Sequence, residues 1–319
     1  MNWKWLIRRL GFMLMVLAVA VILNFLIPRL MPGRAKQAYA GKLPEAVQVK
    51  IIARFGLDKS IWEQFVLYIQ NTLKGDLGMS FSNHPNSVTY MIGNALPWTL
   101  FLLLTATIIT VPLGYVFGVI AGWRAGSKTD TGIQIGSLSL LATPLFWIAM
   151  VLLYVFSAQL GWFPLRGAET AYSGYTGLKW VGDVLWHAVL PVLALMTLFG
   201  AYEMIMRNTM VTTLRENYII TAEAKGASEN RVKYKHAARN ALLPLITSVG
   251  IRFATIVGGS VFVENIFSYP GIGSLIFDAV ISYDFPLLQG AFLIFSIVTV
   301  VVVFLLDLVY LRLDPRIRY

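Results

Sequence analysis

The sequence contains no cysteine, which removes disulfides, iron–sulfur clusters and thiolate-held metals. Its three histidines, His84, His187 and His236, stand far apart with no ligand spacing around them, so a metal site is not expected. Charge is scarce: 13% of 319 residues are charged and 57% are hydrophobic. A soluble protein of this length needs more polar surface, so the composition reads as a polytopic membrane protein. The chain has no G-x-x-x-x-G-K-[ST] phosphate loop, no G-x-S-x-G turn and no histidine-centred catalytic set. Nucleophiles, acids and metal ligands do not cluster within the apolar runs, so an enzyme is not expected.

Acidic residues are the scarcer charge, 16 against 26 basic, for a net charge of +10. In a soluble protein such an excess would suggest nucleic acid. In a membrane protein, lysine and arginine concentrate at the cytoplasmic ends of spans, and we read the excess that way, with no nucleic-acid partner.

What is plentiful is long apolar sequence. Behind Lys4, Arg8 and Arg9 an apolar run extends from Leu10 to Ile27. Ala18 to Ala20 fits a signal cleavage site, but the run continues past it, too long for a signal core and long enough to cross a hydrocarbon layer of about 30 Å. An uncleaved first span is expected. Five more runs cover Trp98–Ala121, Ile133–Phe156, Leu185–Met206, Leu242–Val263 and Leu287–Leu311. The expected fold is therefore all-α, a single transmembrane domain over residues 1–319 with six spans. Pro112, Pro144 and Pro191 interrupt the runs, which neighbouring helices can tolerate. Gly114, Gly118, Gly258, Gly259 and Ser260 permit close helix packing.

Residues 31–97 form a long loop with structure of its own. Ser60 and Glu63 have capping-box spacing, the apolar residues Trp62, Phe65, Val66, Ile69 and Leu73 follow at helical intervals, and Gly75 suits the residue after the helix end. This helix is expected to lie on the membrane face or on the rest of the protein. Arg124 and Lys128, the basic residues between Arg207 and Arg239, and Arg312, Arg316 and Arg318 all fall on one side with the N-terminus, whereas residues 264–286 contain no lysine or arginine. That side should be the cytoplasm, with both termini inside.

The longest polar interruption lies within residues 207–241. Tyr218 to Lys225 has the length of two helical turns, Gly226 can end them in a left-handed conformation, and Ser228 can cap a second helix through Asn240. Two short helices side by side are expected. Small residues at the centre (Ala222, Ala224, Gly226, Ala227, Ser228) would let another protein approach, while Glu223, Lys225 and Arg231 fix register. A basic amphipathic segment held on anionic lipid is the other reading. Within the spans, Glu203, Arg252 and Asp307 need partners, and Arg252 is expected to pair with Asp307 or Glu203, as a structural ion pair or a gate.

Four motifs in order carry a resemblance. Thr221 to Gly226 with Arg231, His236, Arg239 and Pro244 resembles the coupling loop of permease subunits of ATP-binding-cassette importers, of the dipeptide/oligopeptide/nickel type. Gly75 to Phe81, including Asp76, is similar to a first-loop motif of that family. Val263 to Gly273, including Glu264, Pro270 and Gly271, matches its stretch after the fifth span, and Asp314 to Tyr319 its C-terminus. Two departures stand out. Ile220, Thr221 and Ala222 occupy the places of the usual Glu-Ala-Ala, and Arg34 follows Pro32-Gly33 where an aspartate is usual. The resemblance implies two short cytoplasmic coupling helices and an external loop between spans 1 and 2. It implies ATPase contact by Tyr218, Thr221, Ala222, Glu223, Ala224, Lys225, Gly226, Ala227, Ser228, Arg231 and Arg239. It further implies a homologous second permease, two cytoplasmic ATP-binding subunits, an extracytoplasmic solute-binding protein and the inner membrane of a prokaryote. No cofactor would be bound by this chain, since ATP and magnesium would belong to the partner ATPases. Peptides are the first substrate implied, with oligosaccharides or nickel chelates as alternatives. A stand-alone secondary transporter is the remaining alternative, although no internal repeat is evident.

Overall fold

The computed structural model describes residues 3–30, 49 and 58–313. Among these the chain is helices and turns, with one isolated antiparallel bridge between Met79 and Ser87. Two compact units alternate along the chain, the first within Met1–Thr99 and Pro270–Val300, the second within Leu100–Tyr269 and Val301–Arg318.

In the first unit, α1 (Trp3–Leu30) contains the expected first span. Helix α2 (Ile61–Leu73) begins at the expected capping box: Ser60 Oγ accepts from the Glu63 amide at 3.3 Å, and Glu63 Oε2 accepts from the Ser60 amide at 3.0 Å. Gly75 follows it at φ +75°, a conformation that costs glycine nothing. This helix rests on protein, since Phe65 and Tyr68 meet the Phe25 ring of α1 at 5.0 and 5.6 Å. The Arg29 guanidinium lies 3.6 Å above the same ring and donates to Gln64.

Helix α3 (Val88–Trp123) starts ten residues before the expected Trp98, so the ordered part of the long loop ends earlier. The polar residues Thr89, Tyr90 and Asn94 hid this extension from a hydropathy reading. At 36 residues α3 is about 54 Å long, well beyond a hydrocarbon layer of about 30 Å. Its first turns bury Val88, Ile92 and Ala95 against α10 (Ile272–Ser282) and the start of α11 (Phe285–Leu313).

In the second unit, α4 (Lys128–Ala142), capped by Ser127, is followed by α5 (Leu145–Leu152), which runs on into a π-helical stretch, Leu153–Gln159. The single span expected over residues 133–156 is instead bent by 96°. The reason is local: Pro144 excludes helical backbone from the residue before it, and Thr143 is accordingly extended (φ −85°, ψ 128°). Helix α6 (Gly177–Leu195) passes through a 3₁₀ turn into α7 (Phe199–Thr213). Gly114, Gly118 and Gly122 of α3 form a stripe one helical turn apart. Cβ atoms built there would fall 2.4–2.5 Å from Cβ of Tyr202, Met206 and Met210 of α7, so these two backbones are in close contact. Gly114 and Gly118 thus pack as expected; Gly258 and Gly259 lie where side chains are outside the described residues.

Helix α8 (Asn217–Ala224) precedes a turn at Gly226. From Glu229 the chain is helical without a break, through a π-helical stretch (Arg231–Ala238) into α9 (Arg239–Ile266). The second of the two expected short helices is therefore the first part of the long helix that holds the expected fifth span. Among the described residues four helices are long and apolar enough to cross a membrane, and a fifth if the bent pair is one span.

Candidate functional site

The elbow at residues 217–240 is held from beneath and open above. Ile219, Val232, Ala237 and Ala238 are buried in a core with Val119, Tyr202, Met206 and Met210, and Ala222 is buried as well. Helix α8 and the following helix are tied by a hydrogen bond from Asn240 Nδ2 to the Tyr218 hydroxyl (3.0 Å). Trp123, at the end of α3, donates from Nε1 to Glu229 Oε1 at 2.8 Å, and the Lys233 ammonium stands 5.9 Å from its ring. Gly226 has φ +75° as expected, and no atom lies within 4 Å of where its Cβ would be. Ser228 starts the second helix with its carbonyl, which accepts from the amides of Arg231 and Val232 at 2.9 and 3.0 Å.

Of the residues assigned to the elbow, Tyr218, Thr221, Glu223, Ala224, Lys225, Gly226, Ser228, Arg231 and Arg239 are exposed, Ala227 is half-buried and Ala222 faces the core. Its open surface thus combines small side chains with cations, and a protein or an anionic headgroup can approach the backbone closely.

On α7, whose Met206 and Met210 belong to the core beneath the elbow, Arg207 makes an ion pair. Its Nε and Nη2 donate to Asp130 Oδ1 and Oδ2 at 3.1 and 2.7 Å, and Nη1 donates to Asn208. Asp130 also accepts from the Gly126 amide at 2.8 Å and from Gln134 Nε2 at 3.0 Å. Asp130 was not singled out from sequence; its only local signal is an acid in the first turn of a capped helix, which marks a helix start rather than a site. Glu203, one turn before Arg207, is fully buried, and neither carboxylate oxygen makes a well-formed hydrogen bond among the described residues. The Arg252 side chain lies outside the described residues, so the pairing expected of it falls there too. Asp307 is half-buried in α11.

At the other family motifs, Asp76 Oδ1 accepts from the Gly78 amide at 3.0 Å, shaping the turn that leads to Ser80. The structural anchor of that turn is Asp284, which sequence reasoning missed. Fully buried, its Oδ2 accepts from Ser80 Oγ (2.5 Å), Ser82 Oγ (2.8 Å) and the amides of Phe81 and Ser82 (2.8 and 2.9 Å). Its Oδ1 accepts from the Leu287 amide at the start of α11. Glu264 is fully buried at the end of α9, and burial together with its charge raises the Tyr269 phenol above the usual range. Pro270 is exposed, whereas Gly271 is buried and caps α10. The motif at Asp314–Tyr319 and the Pro32–Arg34 departure lie outside the described residues. No group of three or more metal-ligating side chains occurs among the described residues.

Long apolar helices, lipid-suited exposed side chains and a polar helical elbow define a multi-pass, all-helical membrane protein. Residues 114–319 match the family described as binding-protein-dependent transport system inner membrane component, and the chain belongs to that family. Similar proteins align along nearly the full length. The oligopeptide transport system permease protein AppB of Bacillus subtilis is 36% identical, covering 99% of each chain. The di/tripeptide transport system permease protein DppB of Pseudomonas aeruginosa is 33% identical over 98% of each. The glutathione transport system permease protein GsiC of Pectobacterium atrosepticum is 34% identical over 99% of each.

Proposed function

We propose that this chain is the transmembrane subunit of an ATP-driven peptide importer. It forms half of a translocation path with a homologous second permease, receives solute from an extracytoplasmic binding protein, and takes its power from two cytoplasmic ATPases that bind ATP and magnesium. The chain itself is the non-catalytic part. Six spans place both termini and the elbow at 217–240 in the cytoplasm, with α9 as the fifth span and the bent pair as the third.

The observation that carries this reading is the agreement of full-length similarity to peptide permeases with an exposed, small-residue elbow whose underside is locked into the helical core. A partner gripping that elbow pulls on Ile219 and Val232. These pack with residues of α3 and α7, so the pull moves spans as rigid bodies. The test is reconstitution of the chain in liposomes with its copurifying ATPase, second permease and binding protein. Labelled peptide should accumulate only with all components and ATP, and crosslinks to the ATPase should map to residues 217–240. Uptake by this chain alone on an ion gradient, or ATPase crosslinks confined elsewhere, would refute the proposal. A binding protein stabilised by oligosaccharides and not by peptides would refute the substrate.

A further inference from the structure

Arg207 stands between two acids and uses one of them. Its guanidinium forks onto Asp130 of α4. Glu203 sits four residues earlier on α7, on the same helix face, and acid before base at this spacing is the favoured order for a pair. Yet Glu203 is 0% exposed and neither of its oxygens makes a well-formed hydrogen bond among the described residues. Facing it on α4 is the Ser137 hydroxyl, also fully buried, at best a weak neutral donor to this carboxylate. An ionised carboxylate left so within a membrane costs several kcal/mol. The contact between α4 and α7 here is tight: a Cβ at Gly200 would fall 2.6 Å from the Ser137 carbonyl oxygen. The two helices therefore cannot approach further at this level, and relative movement must slide or part them, which lengthens the Arg207–Asp130 bonds.

We infer that Glu203 is the second acceptor for Arg207. When α4 shifts relative to α7, the guanidinium leaves Asp130 and closes on Glu203 within its own helix. The exchange keeps the cation paired in both arrangements and defines two discrete states of the bent span. It rests on the transport reading only for what drives the shift. No Cys occurs in the chain, so labels placed at Thr131→Cys on α4 and Thr212→Cys on α7 report the separation without background from the chain itself. Both positions are exposed.

The experiment measures this distance by spin labelling in the assembled complex, without nucleotide and with a non-hydrolysable ATP analogue. The unaltered protein should show two distances. Asp130→Asn should shift the nucleotide-free population toward the second by roughly tenfold. Glu203→Gln should hold the first distance in both conditions and lower uptake by about tenfold. Glu203→Gln is isosteric and leaves the Asp130 pair intact, so it carries the test if Asp130→Asn does not fold. A Glu203→Gln protein with both distances and normal uptake overturns the exchange, because glutamine then does all that a neutral buried acid does. Asp130→Asn and Glu203→Gln moving the distance the same way overturns it as well. Opposed shifts in a complex that takes up no peptide would support the exchange and refute the transport reading separately.

Discussion

Replacing Gly118 by alanine should destabilise the protein, although alanine is the better helix former. A Cβ there would stand 2.5 Å from Met206 Cβ, 2.7 Å from the Glu203 carbonyl oxygen and 2.9 Å from Met206 Cγ. Carbon atoms rest at about 3.5–4.0 Å, so relief requires a movement of about 1 Å. Met206 Cγ can rotate away, but Cβ is fixed by the α7 backbone and the carbonyl is part of it, so the helices must part. Parting loosens the same contact at Gly114 and Gly122. Overpacking of this kind costs about 1–3 kcal/mol. Alanine returns about 1 kcal/mol through lost unfolded-state freedom, leaving a net loss of up to about 2 kcal/mol. Gly136 of α4 provides the control, because nothing lies within 4 Å of its Cβ position. Gly136→Ala should leave stability unchanged or raise it by about 0.5–1 kcal/mol. Thiol-reactive dyes cannot report unfolding in a cysteine-free chain, so the assay is intrinsic fluorescence from the nine tryptophans during heating in detergent. A Gly118→Ala midpoint at or above that of Gly136→Ala would refute the close-packed stripe.

Asp284→Ala should strip the acceptor from two amides and two hydroxyls in the 80–82 turn, costing about 3 kcal/mol and exposing residues 74–90 to limited proteolysis; Asp284→Asn should lose less. Gly226→Val should strain the backbone at φ +75° by about 1–2 kcal/mol without any steric clash, so peptide uptake should fall while membrane insertion, read by fractionation, persists. Unchanged uptake would show that the turn does not position the elbow. Hydrogen bonds from the Ser60 hydroxyl and amide hold the Glu63 carboxyl below its usual pKa. A depressed folded-state pKa means the capping box contributes above the unfolded value and is lost as pH falls through the folded one. Hydrogen exchange at the start of α2 should therefore quicken on acidification, and in Glu63→Gln this pH dependence should disappear.

The sequence showed the spans and several turns because their signals are short in range. Apolar length reports the bilayer, and among the described residues α1, α3, the continuous run of α6 into α7, and α11 answer to it. Gly75 and Gly226 report left-handed backbone, and Ser60 with Glu63 reports a helix start; each depends on atoms within one turn. Errors came where a local signal had two outcomes. Pro144 reads equally as a kink within a span or as a full bend, and with Thr143 extended before it the outcome is the bend. Thr89, Tyr90 and Asn94 look like loop residues, yet they lie on a helix whose other face buries Val88, Ile92 and Ala95.

What residues 1–319 determined alone was the class of protein, the number of apolar runs and the place of the elbow, since hydration and backbone sterics act on neighbours in the chain. What only the tertiary structure decided was which charges meet. Arg207 pairs with Asp130 across 77 residues, Asp284 anchors Ser80 across 204, and Glu203 is left beside an arginine it does not hold. Those choices follow from how closely helices distant in sequence can approach. At Gly118 and Gly200 that approach is set by the missing side chain and the backbone it admits.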